Sequence, residues 1–186
     1  MKLRPTSTQR QTSREINLAF DIETDGIESS YIHCIVTQDL DTGHVEEYND
    51  QPSKHYSVVN GVCELEIANN IISHNGIMYD IPQIKKHFPF FSGKAKHWDT
   101  LILSRFFHPD LLDIDLRRKW THMPARLYGS HSLEAYGYRL RCFKGEFGKT
   151  TDWKDWSQDM QDYCKQDVAI LCKLWSHFQK SLKALS

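Results

Sequence analysis

The chain has 186 residues, 40% of them hydrophobic and 25% charged, the length and mix of one soluble domain with a sizeable core rather than two. Lys and Arg total 23 against 24 Asp and Glu, so the formal net charge of −1 excludes histone-like packaging and confines any nucleic-acid contact to a local patch. No apolar run approaches the ~20 residues that cross a bilayer, there is no secretory stretch at the N-terminus, and the five cysteines are odd in number with no Cys-x-x-Cys pair. Reduced thiols in a cytoplasm, with no membrane partner, are the expectation.

Met1 to Asn17 is polar, carries Lys2, Arg4, Arg10 and Arg14, and shows no periodicity. It reads as a flexible arm ahead of a domain over residues 18–186. Strand patterns follow at Leu18–Glu23, Ile32–Gln38 and, after the turn residues Asp41, Thr42 and Gly43, at Val45–Tyr48, an antiparallel meander. Val58–Ala68 is a weak helix, Asn70–Ser73 a short apolar strand ending at Asn75-Gly76, Ile81–His87 a helix and Lys94–Trp98 a fifth strand. Helices are expected at Thr100–Phe107 and Leu133–Leu140, with an irregular loop over His108–Tyr128 between them. The strongest helix is Gln158–Leu182, with Ser157 as its N-cap. Strands first, then strand and helix in alternation, predict an α/β domain with a mixed five-stranded sheet flanked by helices, the layout of a ribonuclease-H-like fold.

In Leu18-Ala19-Phe20-Asp21-Ile22-Glu23 a period of two sends Leu18, Phe20 and Ile22 to one face and Asp21 and Glu23 to the other. Two carboxylates side by side on an apolar strand repel unless a cation or a shared proton compensates. A solvated strand end before the turn Thr24-Asp25-Gly26 gives the same pattern. The last helix adds independent information: Asp167 falls on the apolar stripe of Met160, Tyr163, Cys164, Ile170, Leu171, Leu174, Trp175 and Phe178, and Tyr163 precedes it by one turn. A carboxylate there needs a partner, either a metal or a structural Arg or loop. Asp80 stands where a strand turns through Asn75-Gly76 into a helix, a place where α/β folds build sites, although by itself it reads as an N-cap.

The order Asp21-x-Glu23, Asn75-x-x-x-Tyr79-Asp80 and Tyr163-x-x-x-Asp167 resembles the three motifs of the DEDDy family of proofreading 3′→5′ exonucleases. The likeness is greatest to the exonuclease domain of family A DNA polymerases of T-seven-type phages. Further segments resemble that domain in order, among them His74-Asn75-Gly76, Asp99-Thr100-Leu101, Leu103-Ser104-Arg105, Gly129-Ser130-His131 and Lys144-Gly145-Glu146. The chain differs in its polar arm and in stopping after the last helix, where a polymerase domain would follow, so no polymerization is expected. Asp162 occupies the place where the sister DEDDh group has a His, and Tyr163 assigns the subfamily.

The resemblance implies hydrolysis of the terminal phosphodiester of single-stranded or frayed DNA, with release of 5′-mononucleotides, supported by two divalent ions, Mg²⁺ or Mn²⁺. Asp21 would bridge both ions, Glu23 and Asp167 would complete the water-activating site, and Asp80 would hold the second ion through water. Oxygen ligands select hard cations. Tyr163, with an unperturbed pKa of ~10, would position the attacking water rather than deprotonate it. The resemblance also brings Ile27 to the terminal base as a wedge, Asn75 to the substrate, and His131 near the site, where a cap contact is an equal reading. A DNA polymerase, in trans or as a following domain, and a phage-infected bacterial cytoplasm complete these expectations.

From Arg105 to Lys149 nine basic residues (Arg105, Arg117, Arg118, Lys119, Arg126, Arg139, Arg141, Lys144, Lys149) face five acids, interleaved with Trp120, Tyr128, Tyr136, Tyr138 and Phe143. A basic track with aromatic platforms suits single-stranded nucleic acid, with Arg117, Arg118, Lys119 and Arg126 as phosphate contacts and Tyr136 in the core. Two other readings stay open: an RNA-trimming DEDDy exonuclease, and a catalytically idle accessory that binds DNA or a polymerase.

Overall fold

The computed structural model describes residues 14–53, 55–142 and 153–185. Five strands, β1 (Asn17–Thr24), β2 (Ile32–Asp39), β3 (Val45–Asn49), β4 (Asn70–Ser73) and β5 (Lys96–Asp99), form one sheet in the order β3-β2-β1-β4-β5. The β1–β2 and β2–β3 pairs are antiparallel, as the meander requires, and β1–β4 and β4–β5 are parallel. Helices α1 (Val58–Ile67), α2 (Asp80–His87), α3 (Thr100–Phe107), α4 (Leu111–Arg118), α5 (Leu133–Arg139) and α6 (Gln158–Lys183) surround it. The mixed five-stranded α/β architecture is therefore the expected one, with β1 at the centre.

The alternation along β1 divides the core in two. Leu18, Phe20 and Ile22 pack with Val58, Val62 and Leu65 of α1 and Ile84 of α2 on one face. Ala19 joins Cys164, Val168, Leu171, Leu174 and Phe178 of α6 on the other. Each fully buried Leu or Phe contributes about 1.5–3 kcal/mol of transfer free energy, so α6 is held against the sheet chiefly by its apolar stripe. Ser157 caps the helix, accepting from the backbone N–H of Met160 at 3.2 Å. Because Asp21 and Glu23 share the parity of Ala19, they face α6.

Two segments differ most from the sequence reading. Residues 14–17, assigned to the arm, are tied to the domain: Arg14 pairs with Asp39 at 2.5 Å, Ile16 exchanges backbone and side-chain hydrogen bonds with Asn69, and Asn17 opens β1. Residues 1–13 lie outside the described set, as do Phe143, Lys144, Glu146 and Lys149 of the basic track. The irregular loop expected at His108–Tyr128 instead contains α4 and a 3₁₀ turn at Ala125–Leu127. The reason is chemical: α4 buries only Leu111 and Asp115, so one of its two inward positions is a carboxylate and hydropathy shows no stripe.

Asp115 is fully buried and accepts from Arg139 Nη2 at 2.6 Å and Nε at 3.1 Å, from Trp120 Nε1 at 2.8 Å and from the Gly129 amide at 2.8 Å. Burial alone would raise its pKa; Arg139, the Gly129 amide and the Trp120 indole overcome this and hold the carboxyl below its ordinary range. Asp115→Ala is expected to cost about 3–5 kcal/mol in urea unfolding, because it strands the buried Arg139 charge. A loss below about 1 kcal/mol would show that the pair does not hold α4 to α5.

Candidate active site

Two acids of β1 meet α6 near the C-terminal end of the strand. On that strand Asp21 and Glu23 are half-buried. Their carboxylate oxygens and the Cys164 sulfur of α6 all lie within 4.8 Å of one another. The Cys164 thiol donates to the Asp21 carbonyl at 3.4 Å, which joins α6 to β1 directly at the pair.

β4 is short and pairs with β1 only over Asn17–Ala19, so the β1 edge beside Asp21 to Glu23 is left to the turn that follows β4. Asn75 adopts a left-handed conformation (φ 68°) that starts this turn. Gly76 follows because a Cβ there would stand 2.1 Å from Ser73 Oγ. Asp99 at the end of β5 locks the turn, accepting from the amides of Asn75 at 3.0 Å and Ile77 at 3.2 Å while capping α3 through Leu101 N at 2.9 Å. The chain thereby enters α2 with Asp80, which is 5% exposed. Tyr79 closes the arrangement from outside: its hydroxyl donates to the Gly26 carbonyl at 2.8 Å and meets Thr24 Oγ1 at 2.5 Å.

From α6, Asp167 is 6% exposed. Tyr163, one turn earlier, is half-buried with its ring edge-on to Trp153 at 6.0 Å between centroids. Trp153 is anchored by a 2.8 Å hydrogen bond between its carbonyl and His33 Nε2. Asp80 is raised to about pKa 7 by burial first, then by the carboxylates of Asp99 and Asp167, with the amides of Asp80 and Ile22 opposing. Burial, together with Cys34, Asp21 and Glu23, pushes the Cys164 thiol well above its ordinary pKa, so it stays protonated.

This donor set fits divalent metal. Mutually repelling, partly desolvated carboxylates gain from a dication, and an oxygen-rich set beside a protonated thiol suits Mg²⁺ or Mn²⁺ better than a soft metal. Burial of Asp80, with the neighbouring carboxylates, has its own signature without metal. The folded-state pKa of Asp80 lies above the unfolded ~3.9, so the folded state keeps the proton longer and stability falls as pH rises from ~4 to about 7. In EDTA, Asp80→Asn is expected to gain stability over wild type across this window, reaching on the order of 4 kcal/mol above pH 7. Urea unfolding at pH 4.5 and 8 checks this, and a pH-independent difference would refute it.

Other residues singled out from sequence are dispersed. Ile27 is 85% exposed in the loop that Tyr79 braces, its carbonyl accepting from Gln83 at 3.2 Å. Asn75 is exposed at the turn, and Arg105 is exposed on α3. His131 Nδ1 lies 2.6 Å from Ser104 Oγ, which meets the Tyr136 hydroxyl at 2.5 Å, a network joining α3 to α5. Arg117 stands 3.8 Å from Asp110, Arg126 pairs with Glu134 at 2.7 Å, and Arg139 is taken by Asp115. Cys164 and Asp99 were not among the sequence-predicted site residues. Asp99-Thr100 at a strand-to-helix junction was the signal for the latter.

A model of the RNase H superfamily matches residues 18–179. The chain belongs to the RNase H superfamily. This RNase H superfamily chain is 31% identical over 176 residues to the DNA-directed DNA polymerase of Escherichia phage T7, covering 81% of this chain and 25% of the polymerase. To the DNA-directed DNA polymerase of Enterobacteria phage T3 it is 29% identical over 178 residues, covering 82% and 25%. It thus spans about a quarter of the length of these relatives. Similar folds are Brucella melitensis NrnC with bound Mg²⁺ (TM-score 0.58, 18% identity, covering 92% of this chain and 75% of NrnC) and the catalytic core of RRP6 from Trypanosoma brucei (TM-score 0.58, 14%, covering 92% and 42%). No helix among the described residues is long and apolar enough to cross a membrane.

Proposed function

We propose that this chain is a nuclease, specifically a metal-dependent 3′→5′ exonuclease that removes 5′-mononucleotides from single-stranded or frayed DNA. The carrying observation is that Asp21 and Glu23 of β1 meet Cys164 of α6, while Asp80 of α2 lies beside the Ile22 amide of β1 and in the field of Asp167 of α6. Similarity to phage DNA polymerases supports DNA as substrate and proofreading or DNA processing as its setting, in an infected host cytoplasm beside a polymerase.

Two Mg²⁺ or Mn²⁺ ions would be held by Asp21, Glu23, Asp80 and Asp167, and when bound would supply an activated water and stabilise charge on the leaving oxygen. The protein's own part is positional. The carboxylates arrive on a strand and two helices whose cores are packed, so their spacing does not depend on substrate. Tyr163, edge-on to Trp153, has a half-buried ring and offers its hydroxyl to orient water. Tyr79 and Thr24 brace the loop carrying Ile27 against the α2 turn, which leaves an exposed apolar side chain to meet a terminal base.

End-labelled single-stranded DNA and RNA, incubated side by side with Mg²⁺ or EDTA and sized, test the reading. Stepwise loss of 3′ nucleotides from DNA in Mg²⁺ alone is expected. Cleavage of closed circular single strands would refute the exonuclease, faster degradation of RNA would reassign the substrate, and no Mn²⁺-dependent release would favour an idle binding accessory.

A further inference from the structure

Of the basic residues between Arg105 and Arg141, the structure removes some from the surface field and gathers others. Arg139 is buried against Asp115 and Arg126 is paired with Glu134. Arg118, Lys119 and Arg141 instead line one cavity of about 810 Å³ between the C-terminal ends of α4 and α5, together with His122, Trp120 and Tyr138. Among the described residues, none of those lining it is a carboxylate. In a chain of net charge −1, this concentration of cation is local.

The walls are built rather than incidental. The Trp120 ring is oriented by its Nε1 bond to buried Asp115, and the Arg118 guanidinium lies over it at 4.5 Å from the ring centroid. Lys119 and Arg141 both adopt left-handed backbone conformations (φ 49° and 54°), uncommon for residues with a Cβ, just beyond α4 and α5 respectively. The Asp115–Arg139 pair clamps those two helix ends together, so the two cations are held on one cavity. Helix C-termini favour cations in general, which accounts for Lys119 and Arg141 singly. It does not account for their meeting in one cavity walled by an indole and a phenol. Its volume falls in the ~300–1,000 Å³ range of ligand sites.

We propose that this cavity binds the sugar-phosphate backbone of a single nucleic-acid strand, upstream of the 3′-terminal nucleotide, with Arg118, Lys119 and Arg141 on phosphates and the Trp120 and Tyr138 rings available to bases. The assignment of upstream position rests on the exonuclease reading, whereas the binding itself does not. It makes the site a length sensor: short oligonucleotides reach the acids alone, and longer ones engage the cavity as well.

The test is fluorescence anisotropy of a labelled dT₁₂ strand in EDTA, where hydrolysis is silent, for wild type and Arg118→Gln/Lys119→Gln/Arg141→Gln over a salt series. The magnitude of the slope of log K against log salt is expected to drop by about 2, since each phosphate contact on a single strand contributes ~0.7. With Mg²⁺, KM for dT₁₂ should rise at least about tenfold, and by more than KM for a trinucleotide. Should the triple variant fail to fold, Arg141→Gln alone must lower the slope by roughly 0.7. An unchanged slope and KM in a folded variant overturns the proposal. So does dTMP displacing the strand at equimolar concentration, which would make the cavity a mononucleotide site. If the slope falls as expected but Mg²⁺ releases no nucleotide, the cavity stands and the exonuclease reading fails. Normal nucleotide release with an unaltered slope is the converse.

Discussion

Asp21→Ala and Asp167→Ala should each lower turnover by roughly 10⁴-fold or more, and the double variant should be no worse than about either alone, because groups serving one reacting centre act as a unit. The structural basis is the meeting of β1 and α6, where Asp21 lies within reach of Glu23 and of the Cys164 sulfur, one turn before Asp167 on the same helix. Neither substitution removes apolar packing, since the stripe of Cys164, Val168, Leu171 and Leu174 is intact in both. Metal-free thermal midpoints should therefore stay at or above wild type, as each variant relieves carboxylate repulsion. Losses that multiply in the double variant would contradict a shared site, and a collapsed midpoint would reassign Asp167 to a structural role.

These outcomes bear on why some of the molecule was legible in its sequence. β1 and α6 announce themselves because each presents a long apolar face at one clear period, and a carboxylate that interrupts such a face stands out. The register that brings them together follows from parity: Ala19, Asp21 and Glu23 share the face that α6 covers. α4 was hidden for the opposite reason, its inward position being filled by Asp115, whose partner Arg139 lies 24 residues away on α5. The same pair explains why counting charges over the basic track overstated it. Arg139 and Arg126 are spent on intramolecular carboxylates, and local composition does not reveal which cation meets which acid. Docking of Arg14 on Asp39 is likewise a contact across 25 residues that no periodicity carries.

The turn between β4 and α2 shows how much a single buried acid can organise. In the sequence Asp99 is only one residue of a resembling segment, yet it accepts from Asn75, Ile77 and Leu101 and so sets the path on which Asp80 arrives. It also contributes to the field that raises Asp80. A residue that caps one helix therefore both positions and electrostatically loads the acid that opens another. Sequence spacing showed the acids, but this division of labour appears only when the strands are placed side by side.

Tyr163→Phe separates a water-positioning phenol from a metal ligand. The ring is half-buried and edge-on to Trp153, one turn before Asp167, so phenylalanine keeps the packing and removes only the hydroxyl. The fold and the metal affinity should be near wild type. Single-turnover rate should fall by ~10²–10⁴-fold, the range for a group that handles or positions a proton, and by less than in Asp167→Ala. If Tyr163 were instead a general base, a phenol titrating in the ordinary range of ~10 would make the wild-type rate climb with pH well above neutrality, and the variant would lose that limb. A positioning hydroxyl leaves the shape of the pH profile unchanged and lowers it throughout. Calorimetric titration of Mn²⁺ into wild type, Tyr163→Phe and Asp167→Ala, with single-turnover rates across pH 6–10, decides the matter: weakened Mn²⁺ binding in Tyr163→Phe makes the phenol part of the metal site, and full activity there removes it from the reaction.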